Sequence, residues 1–330
     1  MWGQTYMDNN IYGEYIFYED GKEIARSKNI LTKFGKRYIT EYLAGQATTT
    51  AKDIALGIGS VPATVNDTQL NFEFYRSEVN ITSVDIQTSQ TTGQSTYGVV
   101  YKTTIPVDVS GIINEIGLFP NITIGTTDFA SRSISSFEDN QSWVDSSGGY
   151  PSLVTISSPK IGPYYMSIGA AASQSKDYFY DFNLDISGYS ANDSMTLAYY
   201  QSDLNLDYIF LRAYDSNNNY YEIRYPGETS TQYTGGSPIG YKVKPLKLSN
   251  LYTSGFTSGT PDKSSIVKIS IGVKAKSSGA TTALLDGLRI NDEDSFRTDY
   301  GMISRSVLTD VITKTLGKQM DIEYRLGLSF

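Results

Sequence analysis

Any chemistry in this chain is done without histidine or cysteine, because the 330-residue sequence contains neither. That excludes thiol nucleophiles, thiolate metal sites, disulfides, Ser-His-Asp triads and the commonest transition-metal ligand. What remains is carboxylate, tyrosine, lysine and hard-cation chemistry, drawn from 35 acidic residues, 27 basic residues and 27 tyrosines. Glycoside hydrolysis needs two carboxyl groups at a set separation, one with a raised pKa. The acidic run "NDEDS" (Asn291–Ser295) reads instead as a solvated linker. The glycine pair in "GIGS" (Gly57–Ser60) has no following lysine and reads as a turn, not a phosphate loop. The strongest cluster is "DSNNNYYEIRYPGETSTQY" (Asp215–Tyr233). It is turn-rich, so it must expose some of its tyrosines, and exposed clustered tyrosine makes adaptable binding surfaces.

The elements that must position these residues are mostly strands. "IYGEYIFYEDGKEIARS" (Ile11–Ser27) reads as a hairpin about an Asp-Gly turn. Helical spacing of Phe34, Tyr38, Ile39, Tyr42 and Leu43, with Gly45 as a stop, predicts one amphipathic helix from Lys33 to Ala44. Strands follow in "DIALG", "NFEFYRSEVNITSVDI", "STYGVVYKTTIPVDV" and "INEIGLFP", with the tract "QTSQTTGQS" as an exposed loop. After Thr127 the texture becomes many short strands between turn signals, the pattern of a sandwich or jelly roll. After Phe296 the first texture returns, ending in "MDIEYRLGLSF", whose strict apolar–polar alternation is that of a half-buried strand. This closing piece is too small to hold a core of its own, so it is expected to pair with the N-terminal strands. The fold class expected is mainly β. Residues 1–130 with 297–330 form a discontinuous β-rich outer domain carrying one helix against a sheet. Residues 131–296 form an inserted β-sandwich, a jelly roll.

Formal net charge is −8 and the pI about 4.7, which argues against a nucleic-acid surface. The first residues lack a basic region followed by an apolar core, and no run of 18 apolar residues occurs. The expectation is a soluble chain made inside a cell, with no membrane insertion. Absence of cysteine fits assembly in a reducing cytoplasm.

The segments "NILTKFGKRYITEYLAG", "DIALGIGS", "DTQL", "YR" and "INEIGLF", followed by Ser304–Leu308 and Lys314–Leu326, resemble in order a domain of tail-fibre, baseplate and other appendage proteins of tailed phages. That resemblance covers about half the chain. It implies a structural role in a virion, assembled in the host cytoplasm, with other virion proteins as partners, homo-oligomerisation and no catalytic residues. A head-decoration or collar protein with a spacer sandwich is the alternative within that class. A glycan-degrading enzyme is the alternative outside it.

The insert resembles a carbohydrate-binding-module jelly roll, through "SSFEDNQSW" (Ser135–Trp143) at its start and "LLDGLRIND" (Leu284–Asp292) at its end. Such modules lay their first and last strands side by side. The resemblance therefore implies that Glu138 or Asp139 meets Asp286, where a structural calcium could be held by carboxylates and carbonyls. Gly287 departs from the pattern, where such modules commonly carry a second Asp. The resemblance also implies glycan binding to a host surface through aromatic platforms. The candidates are Trp143, Tyr214, Tyr220, Tyr221, Tyr225 and Tyr233, with Tyr164 and Tyr200 beside them. Each could equally be a packing residue, which suits the β propensity of aromatic side chains.

Overall fold

The computed structural model describes residues 10–46, 51–88, 95–120, 132–155, 160–229, 238–253, 256–291 and 301–329. The chain divides into two compact units, Met1–Thr123 with Ser295–Phe330, and Ile124–Asp294. The first unit opens with β1 (Asn10–Glu19) and β2 (Lys22–Lys28), joined through Asp20 (φ 52°) and Gly21 (φ 74°). Left-handed backbone at both central residues is what a tight hairpin requires and what Asp-Gly supplies. β3 (Ile30–Leu31) leads into α1 (Lys33–Leu43), whose first turn is capped by Thr32: the Gly35 amide donates to Thr32 Oγ1 at 2.9 Å. Gly35 is required there, because a Cβ would lie 2.8 Å from the Ile303 carbonyl carbon. β4 (Ala51–Gly57), β5 (Glu73–Glu78), β6 (Asn80–Thr88), β7 (Ser95–Ile105) and β8 (Gly111–Pro120) follow.

The second unit contains β9 (Arg132–Ser135), β10 (Ser152–Val154), β11 (Tyr165–Ala170), β12 (Ser175–Leu184) and β13 (Ser194–Gln201). It continues with β14 (Leu206–Asp215), β15 (Tyr220–Pro226), β16 (Gly240–Lys247), the short α2 (Ser249–Thr253), β17 (Ile266–Ala275) and β18 (Thr281–Asn291). One sheet runs β10-β11-β18-β13-β16, with β9 also on β18; the other runs β12-β17-β14-β15. All pairings are antiparallel. Alternate residues of both sheets, among them Met166, Ile168, Leu197, Leu211, Ile223, Ile271 and Leu285, fill a single core.

The chain then returns to the first unit as β19 (Ser304–Lys314) and β20 (Met320–Ser329). β20 lies between β1 and β7, with Tyr324 opposite both Tyr15 and Tyr101. The first unit thus has two five-stranded sheets, β2-β1-β20-β7-β6 and β3-β19-β8-β4-β5, rather than one sheet under a helix. Their shared core holds Tyr15, Phe17, Ile322 and Tyr324 from one sheet and Ile54, Leu56, Ile116 and Leu118 from the other. The second sheet was hidden because "NFEFYRSEVNITSVDI" reads as one strand. In fact the chain changes sheets at Val79, which is buried, and no glycine or proline marks the corner.

The segments 54–59, 114–119 and 304–308 converge on one buried ion pair. Glu115 of β8 and Arg305 of β19 are 0% and 1% exposed at the side chain, with Nη2 and Oε2 2.7 Å apart. Glu115 Oε1 accepts from the Gly59 and Phe72 amides at 3.0 and 2.8 Å, and Oε2 from the Asn71 amide at 3.0 Å. Arg305 also donates to Asp67 Oδ2 (2.6 Å), Asn71 Oδ1 (2.6 Å) and the Val61 carbonyl (3.0 Å). The pair pins the whole 59–72 loop to the sheet. Gly57 and Gly59 are needed beside it, since a Cβ on the first would lie 2.6 Å from Glu115 Cγ and on the second 2.9 Å from its carboxyl carbon.

Candidate functional site

Period-two alternation sorts the residues of the β12-β17-β14-β15 sheet into an inner and an outer set. On β14, Ile209, Leu211 and Ala213 face the core; on β15, Tyr221, Ile223 and Tyr225 do; on β17, Ile269, Ile271 and Val273 do. The outer face is then read in rows across the register. Asp177, Gly272, Phe210 and Arg224 form one row, and Phe179, Ser270, Arg212 and Glu222 the next. Asp181, Lys268, Tyr214 and Tyr220 form the third.

Cations on this face lie over rings. The Arg212 guanidinium is 4.6 Å from the Phe210 centroid and 5.0 Å from that of Tyr220. Arg224 is 4.5 Å from Tyr208 and 3.4 Å from Phe256, and Lys268 is 4.9 Å from Tyr214 and 5.3 Å from Phe179. Such contacts are worth about 0.5–2 kcal/mol each, so they fix the cations in place. Below them, Glu222 is nearly fully buried and accepts from both arginines, Arg212 Nε at 2.6 Å and Arg224 Nε at 2.5 Å. Asp177 sits 3.7 Å from Arg212; its pKa is raised, because partial burial outweighs the attraction of Arg212 and Lys176. Phe256 is 42% exposed at the rim, where the Tyr220–Ser258 backbone bridge anchors its loop. Phe210 and Tyr214 are buried under the cations, so what this face offers a planar or polyhydroxyl ligand is the half-buried Tyr208 and Tyr220, the guanidinium groups and the exposed Phe256.

The aromatic candidates named from sequence separate on this geometry. Tyr214 and Tyr220 are on the outer face, their rings 5.1 Å apart. Trp143, Tyr221 and Tyr225 are not platforms but core residues. Trp143 is 1% exposed between Phe137 and Tyr180. Tyr221 and Tyr225 point inward and donate to the Pro261 and Met195 carbonyls, each at 2.9 Å. Tyr233 lies outside the described residues. Tyr200 belongs to the opposite sheet, 6.4 Å from Tyr165, and Tyr164 is an exposed loop residue. Sequence reasoning missed Tyr208, Phe210, Arg212, Arg224 and Phe256. Alternation in "YIFLRAYD" and "YYEIRY", anchored on Ile209 and Ile223, places the first four outward; Phe256 carries no local signal.

A second constellation lies on the outer side of the other sheet. Asp286, at the β18 bulge, is fully buried. Its Oδ2 accepts from the Lys160 amide (3.0 Å), the Ile161 amide (3.2 Å) and the Tyr241 hydroxyl (2.7 Å). Glu138 is near enough for the Asp286 charge to act on it, and among the described residues it accepts only a 3.4 Å contact from the Tyr164 amide. Glu138 Oε2 is buried with no hydrogen-bond partner among the described residues. Burial is the main cause that pushes Glu138 up to about 8, with the Asp286 charge adding to it. Burial likewise pushes Asp286 up to about 7. Two buried carboxyls with raised pKa values, one of them with an orphaned oxygen, are favoured either by protonation or by a bound cation. Carboxylate oxygens suit a hard cation such as calcium; Glu138 Oε2 is the one without a partner, while Asp286 Oδ1 already accepts a 3.4 Å contact from the Ile161 amide.

Asp139 is not part of this pair. It is exposed and caps its own turn, accepting from the Gln141 amide (2.8 Å) and Ser142 Oγ (2.5 Å), bonds that lower its pKa. Among the described residues no group of three or more acidic side chains is placed to hold a metal. A Cβ at Gly162 (φ 61°) would lie 2.7 Å from Glu138 Oε2. Gly162→Ala is therefore expected to lower the melting temperature of the second unit, by about 1–3 kcal/mol of stability, through left-handed strain and displacement of Glu138. A thermal melt measures this.

Among solved structures, the chain is similar to carbohydrate-binding modules. A non-crystalline-cellulose-specific module of family 28 matches at 14% identity and TM-score 0.35, over 48% of this chain and 92% of the module. A family 11 module from Clostridium thermocellum, in complex with a mixed-linked tetrasaccharide, matches at 15% identity and TM-score 0.34, over 49% and 95%. The agarase AgWH50C matches at 13% identity and TM-score 0.33, over 50% of this chain and 25% of the enzyme. No family model matches the chain, and no curated protein matches its sequence.

Proposed function

We propose that this protein is a structural appendage protein of a phage-like virion. Its second unit would bind glycans of a host surface through the outer face of the β12-β17-β14-β15 sheet. The observation that carries the binding reading is the lattice of Arg212, Arg224 and Lys268 on Phe210, Tyr220, Tyr208 and Tyr214, rimmed by the exposed Phe256. Saccharide sites need flat apolar surface beside fixed donors and acceptors, and this face offers both on rigid strands. The virion reading rests on the ordered resemblance of residues 29–43, 54–59, 114–119, 304–308 and 314–326 to appendage domains. It includes assembly in the host cytoplasm, docking to other virion proteins and homo-oligomerisation, whose avidity would raise weak single-site binding. Calcium at Glu138 and Asp286 would be structural, holding the 160–164 loop on β18, and the protein would bind without cleaving.

The test is a glycan array probed with the full-length chain, beside its Phe256→Ala variant. Removal of one stacking ring is expected to weaken the retained glycan by about tenfold, or 1.4 kcal/mol, in a protein that still folds and melts within a few degrees of the parent. Binding that survives Phe256→Ala and Tyr220→Ala together would remove this face from the account. Release of reducing ends from a bound glycan would replace a binder with an enzyme.

A further inference from the structure

We propose that the saccharide taken by this face is an acidic one, whose oxyanion is held by the terminal nitrogens of Arg224; the proposal rests on the glycan-binding reading above. Three features of Arg224 set it apart from its neighbours. Its Nε is committed to Glu222 at 2.5 Å, which leaves the two terminal amino groups outside that bond. Its plane is clamped between Tyr208 and Phe256. Its side chain is 32% exposed, and its bond to Glu222 runs through Nε rather than through Nη1 or Nη2. A guanidinium held against rings with its terminal fork uncommitted suits a carboxylate or sulfate, which it can receive in two parallel bonds.

The surrounding charges leave this end of the face cationic. Glu222 is shared by two arginines, so that trio keeps one positive charge. The next nearest carboxylate across the register, Asp177, is matched with Arg212 at 3.7 Å. Lys274, opposite Tyr208 on β17, adds a further cation, with its ammonium on the Ser173 carbonyl at 2.6 Å. Asp181 is in the row farthest from Lys274, beside Lys268. In a chain of net charge −8, such a spot is a local cationic exception that can hold an anionic group against the overall charge.

Affinity electrophoresis of the full chain through gels containing polygalacturonate, dextran sulfate or a neutral β-glucan tests this. Retardation by polygalacturonate alone assigns the oxyanion to a uronate. Retardation by dextran sulfate alone assigns it to a sulfate ester. Arg224→Lys keeps the charge and removes the fork, so it is expected to lose about tenfold of that affinity. Rising salt is expected to weaken retention of the acidic polymer by the unaltered protein, a readout that needs no variant to fold. Retardation by neutral glucan alone, or an Arg224→Lys protein that is retarded as the parent is, would overturn the acidic ligand and leave the glycan-binding face standing. No retardation by any polymer would count against both.

Discussion

Arg305→Met is expected to destabilise the first unit by about 3–5 kcal/mol, seen as a fall in melting temperature of roughly 6–20 °C. The substituted side chain is close in length, so lost volume is not the cause. The Glu115 carboxylate would remain at zero exposure without its counter-charge, and Asp67, Asn71 and the Val61 carbonyl would lose their donor together. A second substitution, Glu115→Leu, is not expected to restore stability. The Gly59, Asn71 and Phe72 amides would then have no acceptor, and each unmet buried donor costs about 1–3 kcal/mol. This distinguishes the site from ion pairs that can be replaced by apolar residues without loss. Amide hydrogen exchange in β8 and β19 should accelerate in the single variant; parent-like protection there would mean that the loop is held by other contacts.

Calcium is expected to raise the melting temperature of the second unit at pH 8 and to have little effect at pH 5. In chelated protein the two carboxyls titrate near 8 and 7, well above the usual value of about 4. Between about pH 4 and 8 the folded state then binds more protons than the unfolded chain. Stability falls as pH rises through that window and levels off beyond it. A bound cation needs both groups ionised, so its effect has the opposite pH dependence. At a hundredfold excess over the dissociation constant it contributes about 2.7 kcal/mol. Glu138→Gln should remove the response to calcium and flatten the pH slope. A pH slope in the parent with no response to calcium at pH 8 would mean that the pair holds a proton and nothing else.

Much of the architecture was legible because local patterns carried it. The Asp20-Gly21 turn, the α1 face and the alternation of Met320–Leu328 each follow from a fixed period or a turn requirement. The corner at Val79 was not legible, since the pattern stays extended while the chain leaves one sheet for another. The aromatic candidates divided for a related reason. Residue type cannot tell Tyr220 from Tyr221, but the side of the strand can, and Ile223 marks which side is the core. Asp139 follows Glu138 directly and so points away from it, into its own turn. Glu115 and Arg305 were visible only as single charges in the apolar runs "INEIGLF" and "GMISRSV". Nothing in one sequence says that two lone charges 190 residues apart are partners.

The most direct measurement is the dissociation constant of the full-length chain for the glycan that it retains from an array, taken for the parent and for Tyr220→Ala and Phe256→Ala. The account predicts losses of about tenfold for each variant in proteins that still fold, their melting temperatures lowered only by the few degrees that a lost cation–ring contact of about 0.5–2 kcal/mol entails, because neither ring fills the core. Parent-like constants in both variants, for a glycan the parent binds, would contradict it and move the binding site off this sheet.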